Sequence, residues 1–478
     1  MAKVAFIQEE LRERFGIMIL SAVIKEEGHE CEVFIQERSH DLAKEVLDYR
    51  PDVIAFSTMT PGIKFAMENA RKLKEKSKAL ILMGGPHPTF YPEVINEDCL
   101  DAICVGEGEY ALLELLDALD KGNDISAIKN LWVKRSRQIF KNELRNFVDV
   151  NALPMFDREL YYDKYQELKT VPTKKFFIVR GCPYSCTYCF NHSFKKMHEG
   201  KGTYVRYTNP DKLIAEMKYV LNKYGATWIQ FNGDTMNVNR QWFMDFLDKY
   251  KQEINLPFMC NVRIELVDEE MVKKMKEAKC DRVDFGVEHG DETIRKNILK
   301  RNMTDQQIIK GGQLFNKYGI RVQTANIVGV PGETLETAMK TVEINRRFKP
   351  ELARCFVLQP YPKTEIYDYA LKNGYLERDF SFSSLGTGFQ IGFDGSASGM
   401  TLKLKQHREL TNLYYFFNTL VHYRWLTPLV KLLIKLPPNK LFLFIHALPI
   451  VGIDVKYHKS WKRKMESIRG LLRVFLKK

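Results

Sequence analysis

The chain has 478 residues, of which 45% are hydrophobic and 28% are charged, and this composition excludes a disordered protein. Its length exceeds that of one ordinary hydrophobic core, so we expect two or three domains. The formal charge of +13 is confined to one end, because residues 401–478 carry 16 Lys and Arg against 3 Asp and Glu.

The nine cysteines stand at irregular spacings, which does not indicate a disulfide framework. The N-terminal stretch MAKVAFIQEELRER is charged and lacks the apolar core of a signal peptide. We therefore expect a cytoplasmic protein with reduced thiols.

The first 120 residues alternate short apolar runs with helical patterns, which predicts a doubly wound parallel sheet. Glycine-rich and proline-rich turns follow three of the strands, where open α/β sheets bind ligands, although ordinary βα turns are the alternative. No GxGxxG is present, so a dinucleotide is not the expected ligand. The candidate ligand-binding residues are Ser57, Thr58, Met59 and Thr60 after one strand, Gly84, Gly85, Pro86 and His87 after the next, and Gly106, Glu107 and Gly108 after the third.

Residues 121–172 contain a predicted hairpin, LWVKRSRQIF, and a loop-rich stretch around ALPMFDREL that we interpret as a connector. From Lys175 a second series of strands and helices begins. Its strands are FFIV, WIQF, FMCNV, VDFGV, VQTANIVGV and ARCFVLQ. Six repeats are too few for the eight-fold barrel of about 250 residues, so they favour a partial (β/α) barrel.

The pattern weakens after residue 375, where SFSSLGTGFQIGFDGSASGM is typical of a flexible loop or of one that covers an active site. The sequence therefore predicts an α/β protein in four parts. These are a doubly wound, Rossmann-like domain over residues 1–140, a linker over 141–172, a partial (β/α)6 barrel over 173–375, and a loop with a basic amphipathic helical C-terminal region over 376–478.

Three cysteines, Cys182, Cys186 and Cys189, stand within eight residues after the first strand of the second series. Tetrahedral zinc sites and electron-carrying iron–sulfur clusters normally have four protein ligands, and no fourth is nearby. Three thiolates leave one metal position open for a small molecule, at the end of the strands where barrel active sites lie. A structural or electron-carrying cluster is the alternative that the cysteines alone leave open.

The CxxxCxxC spacing, with Tyr188 before the third cysteine and Phe190 after it, resembles the signature of radical S-adenosylmethionine enzymes. The resemblance implies that the three cysteines hold three irons of a [4Fe–4S] cluster and that the fourth iron binds S-adenosylmethionine. Later motifs follow the order of that family. The cofactor contacts that the resemblance implies come from Tyr188, Phe190, Asn232, Gly233, Asp234, Glu288, Ile327 and Gln359, with Arg263 as a possible contact to the cofactor carboxylate or, alternatively, a surface salt bridge.

The chain departs from that family's pattern at four positions. Asn232 and Asp234 stand where the second-strand motif has Gly and Glu, so the acid remains but is one methylene shorter. His289 stands where Ser is common, and Lys363 stands where Gly is common. These departures affect the expected ribose and adenine contacts rather than the identity of the cofactor.

The order of GGPHPT, VGEGE, LPMFDRELY and the cysteine motif is similar to that of the cobalamin-binding radical enzymes. The resemblance covers about residues 1–375 and implies that the three strand-end loops of the first domain bind cobalamin. The DxHxxG motif of a lower axial histidine is absent, and His29, His40 and His87 stand in other contexts. We therefore expect water, an apolar residue or a weak ligand below the cobalt.

The tRNA methylthiotransferases, which hold a second cluster on three N-terminal cysteines, are a rival within the superfamily. Cys31, Cys99 and Cys104 would be the candidates, but Cys31 begins a predicted strand and Cys104 lies in the apolar run AICVG. Cys260, Cys280 and Cys355 are likewise interpreted as packed cysteines of the barrel.

The resemblance favours a cobalamin-dependent enzyme that methylates an unactivated carbon, with flavodoxin or ferredoxin as reductant. A ring-forming reaction, as in the anaerobic porphyrin cyclases, is the alternative within enzymes. A non-catalytic iron–sulfur protein is the alternative outside them. The catalytic hydrogen-donor residues are not indicated by the sequence.

The basic C-terminal region is also apolar, with Arg424, Lys431 and Lys435 at helical spacing among leucines and Trp425. Its longest uncharged stretch is residues 441–453 and contains Pro449, whereas a membrane span needs about 20 residues. We expect either a helix in the interface of an anionic membrane, at its inner face, with a hydrophobic substrate, or a helical cap on the core. Nucleic acid is not expected, because the region is richer in Leu and Phe than a phosphate-binding arm.

Overall fold

The computed structural model describes residues 1–136, 138–382, 385 and 400–457, and most of the predicted covering loop over 381–400 lies outside this set. The chain forms two compact units. The first comprises Met1–Pro183 and Ser193–Thr227, and the second comprises Tyr184–His192 and Trp228–Lys478.

The first unit is built on a seven-stranded sheet whose order is β2-β1-β3-β4-β5-β6-β7. The first five strands pair in parallel, which confirms the predicted doubly wound sheet. The predicted hairpin forms as well, but it extends the sheet antiparallel to β5 instead of lying in a connector. The strands are β1 (Lys3–Gln8), β2 (Glu30–Ile35), β3 (Val53–Ser57), β4 (Leu80–Gly84), β5 (Ala102–Cys104), β6 (Leu131–Arg135) and β7 (Gln138–Lys141).

Helices cover both faces of this sheet, because each strand presents apolar side chains to both sides, as expected of buried parallel strands. Phe6 and Cys104 belong to the core on one face, whereas Ile7 and Ile103 belong to the core on the other. The helices are α1 (Phe15–Glu26), α2 (Leu42–Tyr49), α3 (Ile63–Lys74), α4 (Pro86–Phe90), α5 (Glu109–Lys121), α6 (Glu159–Tyr162) and α7 (Gln166–Lys169).

The other elements up to residue 227 lie before and after the cysteine motif along the chain. They are β8 (Thr173–Phe177), β9 (Val179–Arg180), α8 (Phe190–Met197), β10 (Arg206–Tyr207) and α9 (Pro210–Tyr224). Helix α9 begins where Asn209 accepts a hydrogen bond from the Asp211 amide and Pro210 occupies the first helical position.

The second unit contains five parallel strands in the order β15-β14-β13-β12-β11, and helices alternate with them along the chain as predicted. Capping boxes at Thr304 and Thr334 start two of the helices. The strands are β11 (Trp228–Asn232), β12 (Phe258–Asn261), β13 (Cys280–Glu288), β14 (Arg321–Val328) and β15 (Leu352–Val357), and the helices are α10 (Arg240–Glu253), α11 (Glu269–Glu277), α12 (Asp305–Lys317), α13 (Leu335–Phe348) and α14 (Glu365–Lys372).

Three further helices follow in the C-terminal region, namely α15 (His407–His422), α16 (Thr427–Leu433) and α17 (Lys440–Tyr457). Helix α15 packs against β15 and α13, and its Phe416 and Phe417 are buried in the core of the second unit. The predicted core cap is therefore present in α15. No described helix combines the length and the apolar character needed to cross a bilayer.

Candidate cofactor sites

The cysteine motif forms a loop that begins directly after β9. Gly181 precedes the first cysteine with φ +85°, and a Cβ atom there would lie 2.4 Å from the carbonyl oxygen of Tyr204. Only glycine satisfies both conditions, so the entry to the loop is fixed by its sequence. All nine cysteines are thiols rather than disulfides; Cys186 is buried, and Cys182 and Cys189 are half-buried.

Nitrogen donors face two of the loop thiols within the second unit. Asn191 Nδ2 lies 3.7 Å from Cys189 Sγ, and Arg263 Nη1 lies 3.8 Å from Cys186 Sγ. Such donors stabilise thiolates, and hydrogen bonds to sulfur tune the potential of iron–sulfur clusters. In the part of the chain that the structure describes, no three His, Cys, Asp or Glu side chains converge on one ion. A [4Fe–4S] cluster binds each thiolate to a different iron, so the loop fits this group without such convergence.

The predicted second-strand residues lie next to this loop. Asn232 ends β11, and Asp234 follows it, with Asp234 Oδ1 accepting a hydrogen bond of 2.5 Å from Asn191 Nδ2. The same amide group contacts Cys189, so the carboxylate and the thiol are held by one side chain. Gly233 has φ +138°, which lets the chain turn between the two polar residues.

Arg263 is buried, so its interpretation as a surface salt bridge is wrong. Its Nε donates to Glu265 Oε1 at 2.7 Å, and its guanidinium carbon lies 3.6 Å from the centre of the Tyr184 ring. Together with the contact to Cys186, these partners place the cation beside the cysteine loop. The structure thus brings Arg263 to the predicted site and pairs it there with a carboxylate.

Glu288 ends β13 in a conformation that aims it at a second arginine. The register with β14 shifts between Gly286 and Glu288, and Glu288 has φ +62°, which is uncommon for a residue other than glycine. Arg301 Nη1 lies 3.6 Å from Glu288 Oε1, and Arg301 Nη2 donates to the Gly286 carbonyl at 2.8 Å. Arg301 Nε is buried without a partner among the described residues. Sequence reasoning missed Arg301, because nothing local marks an arginine that pairs with a residue 13 positions earlier.

Burial and neighbouring charges shift the pKa values of both Arg301 and Tyr188. Burial alone would lower the pKa of Arg301, but the facing Tyr188 and Glu288 outweigh it and raise that pKa. Burial, reinforced by the charge of Glu288, raises the pKa of Tyr188 well above its ordinary value. Tyr188 therefore stays a neutral phenol. Phe190, its counterpart after the third cysteine, is 45% exposed.

His289, one of the four positions that depart from the family pattern, forms a buried hydrogen-bonded pair with Glu333. We call this pair the His289–Glu333 brace. His289 Nδ1 accepts a hydrogen bond from the Asp291 amide at 3.0 Å, so the ring proton is on Nε2, which lies 2.9 Å from Glu333 Oε1. Glu333 Oε2 accepts from the amides of Gly329 and Val330. The pair therefore joins the loop after β13 to the loop after β14. Ile327 and Gln359 are also buried. Ile327 is the second-last residue of β14, and Gln359 lies two residues after β15.

The predicted cobalamin residues of the first unit divide into two groups. A cavity of about 260 Å³ opens at the carboxyl end of the sheet, and it is lined mainly by apolar side chains that sequence reasoning did not single out, such as Phe15, Phe156 and Phe177. Of the predicted residues, Ser57, Gly84, Gly85, Gly106, Glu107 and Gly108 line this cavity, whereas Thr58, Met59, Thr60, Pro86 and His87 do not.

Glycine is required at the cavity wall. Gly85 has φ +95°, and a Cβ atom there would lie 2.9 Å from both the amide nitrogen and the carbonyl oxygen of Thr58. His87 is buried beside this turn, with Nδ1 3.2 Å from Thr60 Oγ1, and burial lowers the pKa of His87 to about 4. No histidine is among the described residues that line the cavity. The expectation that cobalamin binds without a histidine ligand stays a prediction.

An ion network that is largely shielded from solvent joins the cavity to the start of the cysteine motif. Arg180 lines the cavity, and its Nη1 lies 3.0 Å from Glu107 Oε1 and 2.6 Å from Glu109 Oε1. Arg206 Nη2 donates to Glu107 Oε1 at 2.7 Å, and the Val148 amide donates to Glu107 Oε2 at 2.9 Å. Burial would raise the pKa of Glu107, but the hydrogen bond from Arg206 and the charge of Arg180 lower it. The VGEGE motif is thereby fixed to the residue two positions before Cys182.

The other cysteines are packed thiols. Cys31 Sγ lies 3.0 Å from Ser21 Oγ, and burial raises its pKa to about 11. Burial raises the pKa of Cys104 to about 12. Cys99 belongs to the core on the opposite face of the sheet, so the three cannot share one cluster. Cys260, Cys280 and Cys355 are buried in the second unit.

Comparison with known proteins defines the class. The B12 binding domain profile matches residues 12–116, and the radical SAM superfamily profile matches residues 176–344. The chain belongs to the cobalamin-binding radical S-adenosylmethionine enzymes, whose cofactors are a [4Fe–4S] cluster, S-adenosylmethionine and cobalamin.

Two relatives and one solved structure illustrate the relationship. An uncharacterized methyltransferase, PH0819 of Pyrococcus horikoshii, is 30% identical over 76% of this chain and 79% of that protein. The anaerobic magnesium-protoporphyrin IX monomethyl ester cyclase of Rubrivivax gelatinosus is 23% identical over 73% and 65% of the two chains. The radical S-adenosylmethionine methyltransferase TsrM from Kitasatospora setae, with cobalamin and a [4Fe–4S] cluster bound, superposes with a TM-score of 0.69 at 14% identity over 99% of each chain.

Proposed function

We propose that this enzyme transfers a methyl group to an unactivated carbon of a hydrophobic small molecule. The observation that carries the proposal is the continuity between the two cofactor regions: Arg180 lines the apolar cavity of the first unit and stands two residues before Cys182. An enzyme that combines radical chemistry with a methyl donor needs both groups positioned by one rigid element. The Arg180–Glu107 ion pair supplies that rigidity.

When bound, the cluster and S-adenosylmethionine supply a 5′-deoxyadenosyl radical that removes a substrate hydrogen, and methylcobalamin supplies the methyl group. The residues of this chain bind and orient these groups. Cys182, Cys186 and Cys189 hold three irons, while Asn191 and Arg263 donate toward the sulfurs. A low-potential donor such as flavodoxin or ferredoxin supplies electrons to the cluster.

The second-unit residues orient S-adenosylmethionine. Asp234 is assigned to its amino group, Glu288 to the ribose and Ile327 to the adenine. The His289–Glu333 brace fixes the loops that follow the two strands in which Glu288 and Ile327 lie. We assign the methionine carboxylate to Arg301, because its Nε is buried without a described partner, whereas Arg263 Nε already donates to Glu265. An unpaired buried N–H donor is costly unless a ligand accepts from it.

A hydrophobic substrate is supported by the relatives. The Rubrivivax protein is named for a magnesium porphyrin, and a relative from Chlorobaculum tepidum is named as a bacteriochlorophyllide methyltransferase. The similarity to the cyclases makes radical ring formation the second candidate function. The two functions differ in their use of S-adenosylmethionine, because only methyl transfer converts a second molecule to S-adenosylhomocysteine.

The test is an anaerobic incubation of the reduced, reconstituted enzyme with S-adenosylmethionine labelled in its methyl group. Methyl transfer predicts 5′-deoxyadenosine, S-adenosylhomocysteine and label on cobalamin, and then on an added porphyrin or isoprenoid substrate. 5′-Deoxyadenosine without S-adenosylhomocysteine would support the cyclase. The absence of both, with cluster and cobalamin fully loaded, would contradict either function. A Cys355→Ala variant, altered in a buried cysteine outside the motif, is the matched control.

A further inference from the structure

Helix α16 and the turns on either side of it expose an apolar face to solvent. Trp425 is 76% exposed, and Leu429, Leu432 and Leu436 are 51%, 65% and 49% exposed. Leu429 and Leu432 are three residues apart in α16 and so lie on one side of it, while Trp425 and Leu436 lie in the turns directly before and after the helix. We call Trp425, Leu429, Leu432 and Leu436 the outer face. Large apolar side chains that are exposed together mark an interaction surface.

The opposite side of the same segment is fixed to the protein. Val430 and Ile434 are buried in the core of the second unit. Asn412 Nδ2 donates to the carbonyl oxygens of Ile434 and Leu436, at 2.9 and 2.7 Å, and Arg346 Nη2 donates to Thr427 Oγ1 at 2.9 Å. Both ends of the segment are therefore anchored, and the exposure of the outer face is a property of the fold.

The stretch of sequence that carries the outer face is basic. Residues 410–453 contain four basic residues and no acidic one, and Arg424, Lys431 and Lys435 are exposed. Residues 458–478 add eight Lys and Arg against one Glu in the sequence. A surface that combines exposed Trp and Leu with Lys and Arg matches a layer with an apolar interior and anionic headgroups.

We propose that the outer face docks the enzyme onto the surface of an anionic lipid bilayer. Trp425, Leu429, Leu432 and Leu436 enter the boundary between headgroups and acyl chains, while Lys431 and Lys435 contact lipid phosphates. The segment lies along the membrane rather than across it, since none of the described helices could span a bilayer. The proposal is independent of the reaction, although membrane docking would bring the enzyme to an apolar substrate.

Vesicle flotation with the full-length, reconstituted enzyme tests the proposal. The enzyme should float with vesicles of phosphatidylcholine and phosphatidylglycerol at low salt, and less with phosphatidylcholine alone or at high salt. Trp425→Ser/Leu432→Ser should lower the bound fraction at least tenfold. Lys431→Glu/Lys435→Glu should lower it by more than tenfold on anionic vesicles only, because each basic residue contributes about fivefold to partitioning.

Matched controls separate docking from folding and from bulk charge. Lys273→Glu/Lys310→Glu makes the same charge change at exposed lysines on α11 and α12, and Tyr369→Ser removes an exposed aromatic ring from α14. Both should float like the wild type, and all variants should keep the wild-type unfolding temperature. Failure of the wild type to float at low salt would overturn the proposal. Loss of self-association in Trp425→Ser/Leu432→Ser without any effect on flotation would instead identify an interface between copies of the chain.

Discussion

Arginines that are largely shielded from solvent pair with glutamates in both candidate cofactor sites. In the first unit, Arg180 and Arg206 converge on Glu107, and in the second unit Arg301 faces Glu288. Arginine suits these positions because its planar group binds several acceptors and keeps its charge when buried. Glu107 is 73 residues from Arg180 and 99 from Arg206 in sequence. Pairs of such separation leave no local pattern, which is why the sequence identified the glutamates but not their partners.

Arg301→Gln should destabilise the second unit by about 3 kcal/mol, because it leaves Glu288 as a buried carboxylate without a cation. The double variant Arg301→Gln/Glu288→Gln should recover part of that loss. Calorimetric unfolding of the cluster-free protein measures both effects. Arg240→Gln, which breaks a solvent-exposed pair with Asp268, should cost less than about 1 kcal/mol. Equal destabilisation by Arg240→Gln and Arg301→Gln would contradict the assigned role of burial.

Each motif cysteine is expected to be indispensable. Cys182→Ala, Cys186→Ala and Cys189→Ala should each remove the visible absorbance of the cluster and all 5′-deoxyadenosine formation, because each thiolate holds one iron and no other described thiol is within the loop. Iron and sulfide analysis of the reconstituted variants provides the measurement. Cys355→Ala should retain the wild-type content. A triple variant that also retained it would refute the cluster assignment.

His87 should make the stability of the first unit depend on pH. Burial lowers its pKa to about 4 from 6.5, so the folded state favours the neutral ring. The stabilisation is complete above pH 6.5 and is lost as the pH falls from 6.5 toward 4, by at most about 3 kcal/mol. The difference in unfolding temperature between wild type and His87→Gln, measured across this range, should therefore change with pH. A difference that stays constant from pH 6.5 to pH 4 would contradict this assignment.

At the scale of secondary structure, the sequence predicted the positions of the strands best. Apolar runs bounded by turn residues located β1 to β5 and β11 to β15. This worked because buried parallel strands are short and their sequences are almost continuously apolar. The hairpin of β6 and β7 was predicted, but its attachment to the sheet was not, since pairing with β5 depends on the whole chain. The lining of the cavity was predicted only in part, because its apolar side chains resemble any hydrophobic core in sequence.

The C-terminal region shows why two interpretations remained open from sequence alone. Basic amphipathic segments are typical of both membrane-surface helices and helices that cap a core. The structure separates two features between elements: α15 buries its aromatic residues, whereas the segment around α16 exposes Trp425 and Leu432. Whether a basic amphipathic helix is buried or exposed depends on its tertiary contacts, which the local sequence pattern does not contain.

A chain that ends at residue 400 should therefore not remain soluble. It would lack α15, whose buried Leu410, Leu413, Phe416, Phe417 and Leu420 cover β15 and α13. Removing that cover would expose a large apolar surface of the second unit. The soluble fraction and the unfolding temperature after expression provide the measurement. A chain that ends at residue 457 keeps α15 to α17 and is the matched control, expected to fold like the full-length protein.

At the scale of the whole molecule, one chain must provide for three cofactors with different requirements. The cysteine loop supplies soft thiolates with nitrogen donors, and the second-unit loops supply charged and polar groups for a zwitterion. The first unit instead supplies an apolar cavity edged by a charge-compensated network. The sequence motifs predicted these three environments in chain order. Their polarity became apparent only from the buried partners that surround them.

Cobalamin should bind at about one molecule per chain without a histidine ligand. The described residues that line the cavity include no histidine, and His87 is turned toward Thr60 behind the glycine turn. Electron paramagnetic resonance of the cob(II)alamin form should therefore lack nitrogen superhyperfine splitting, in contrast to a free cobalamin that retains its own base. Glu107→Ala should weaken binding, because Arg180 and Arg206 would lose their shared carboxylate and the network at the cavity edge would open. Clear nitrogen splitting in the wild type, or unchanged affinity in Glu107→Ala, would show that cobalamin binds elsewhere or in another mode.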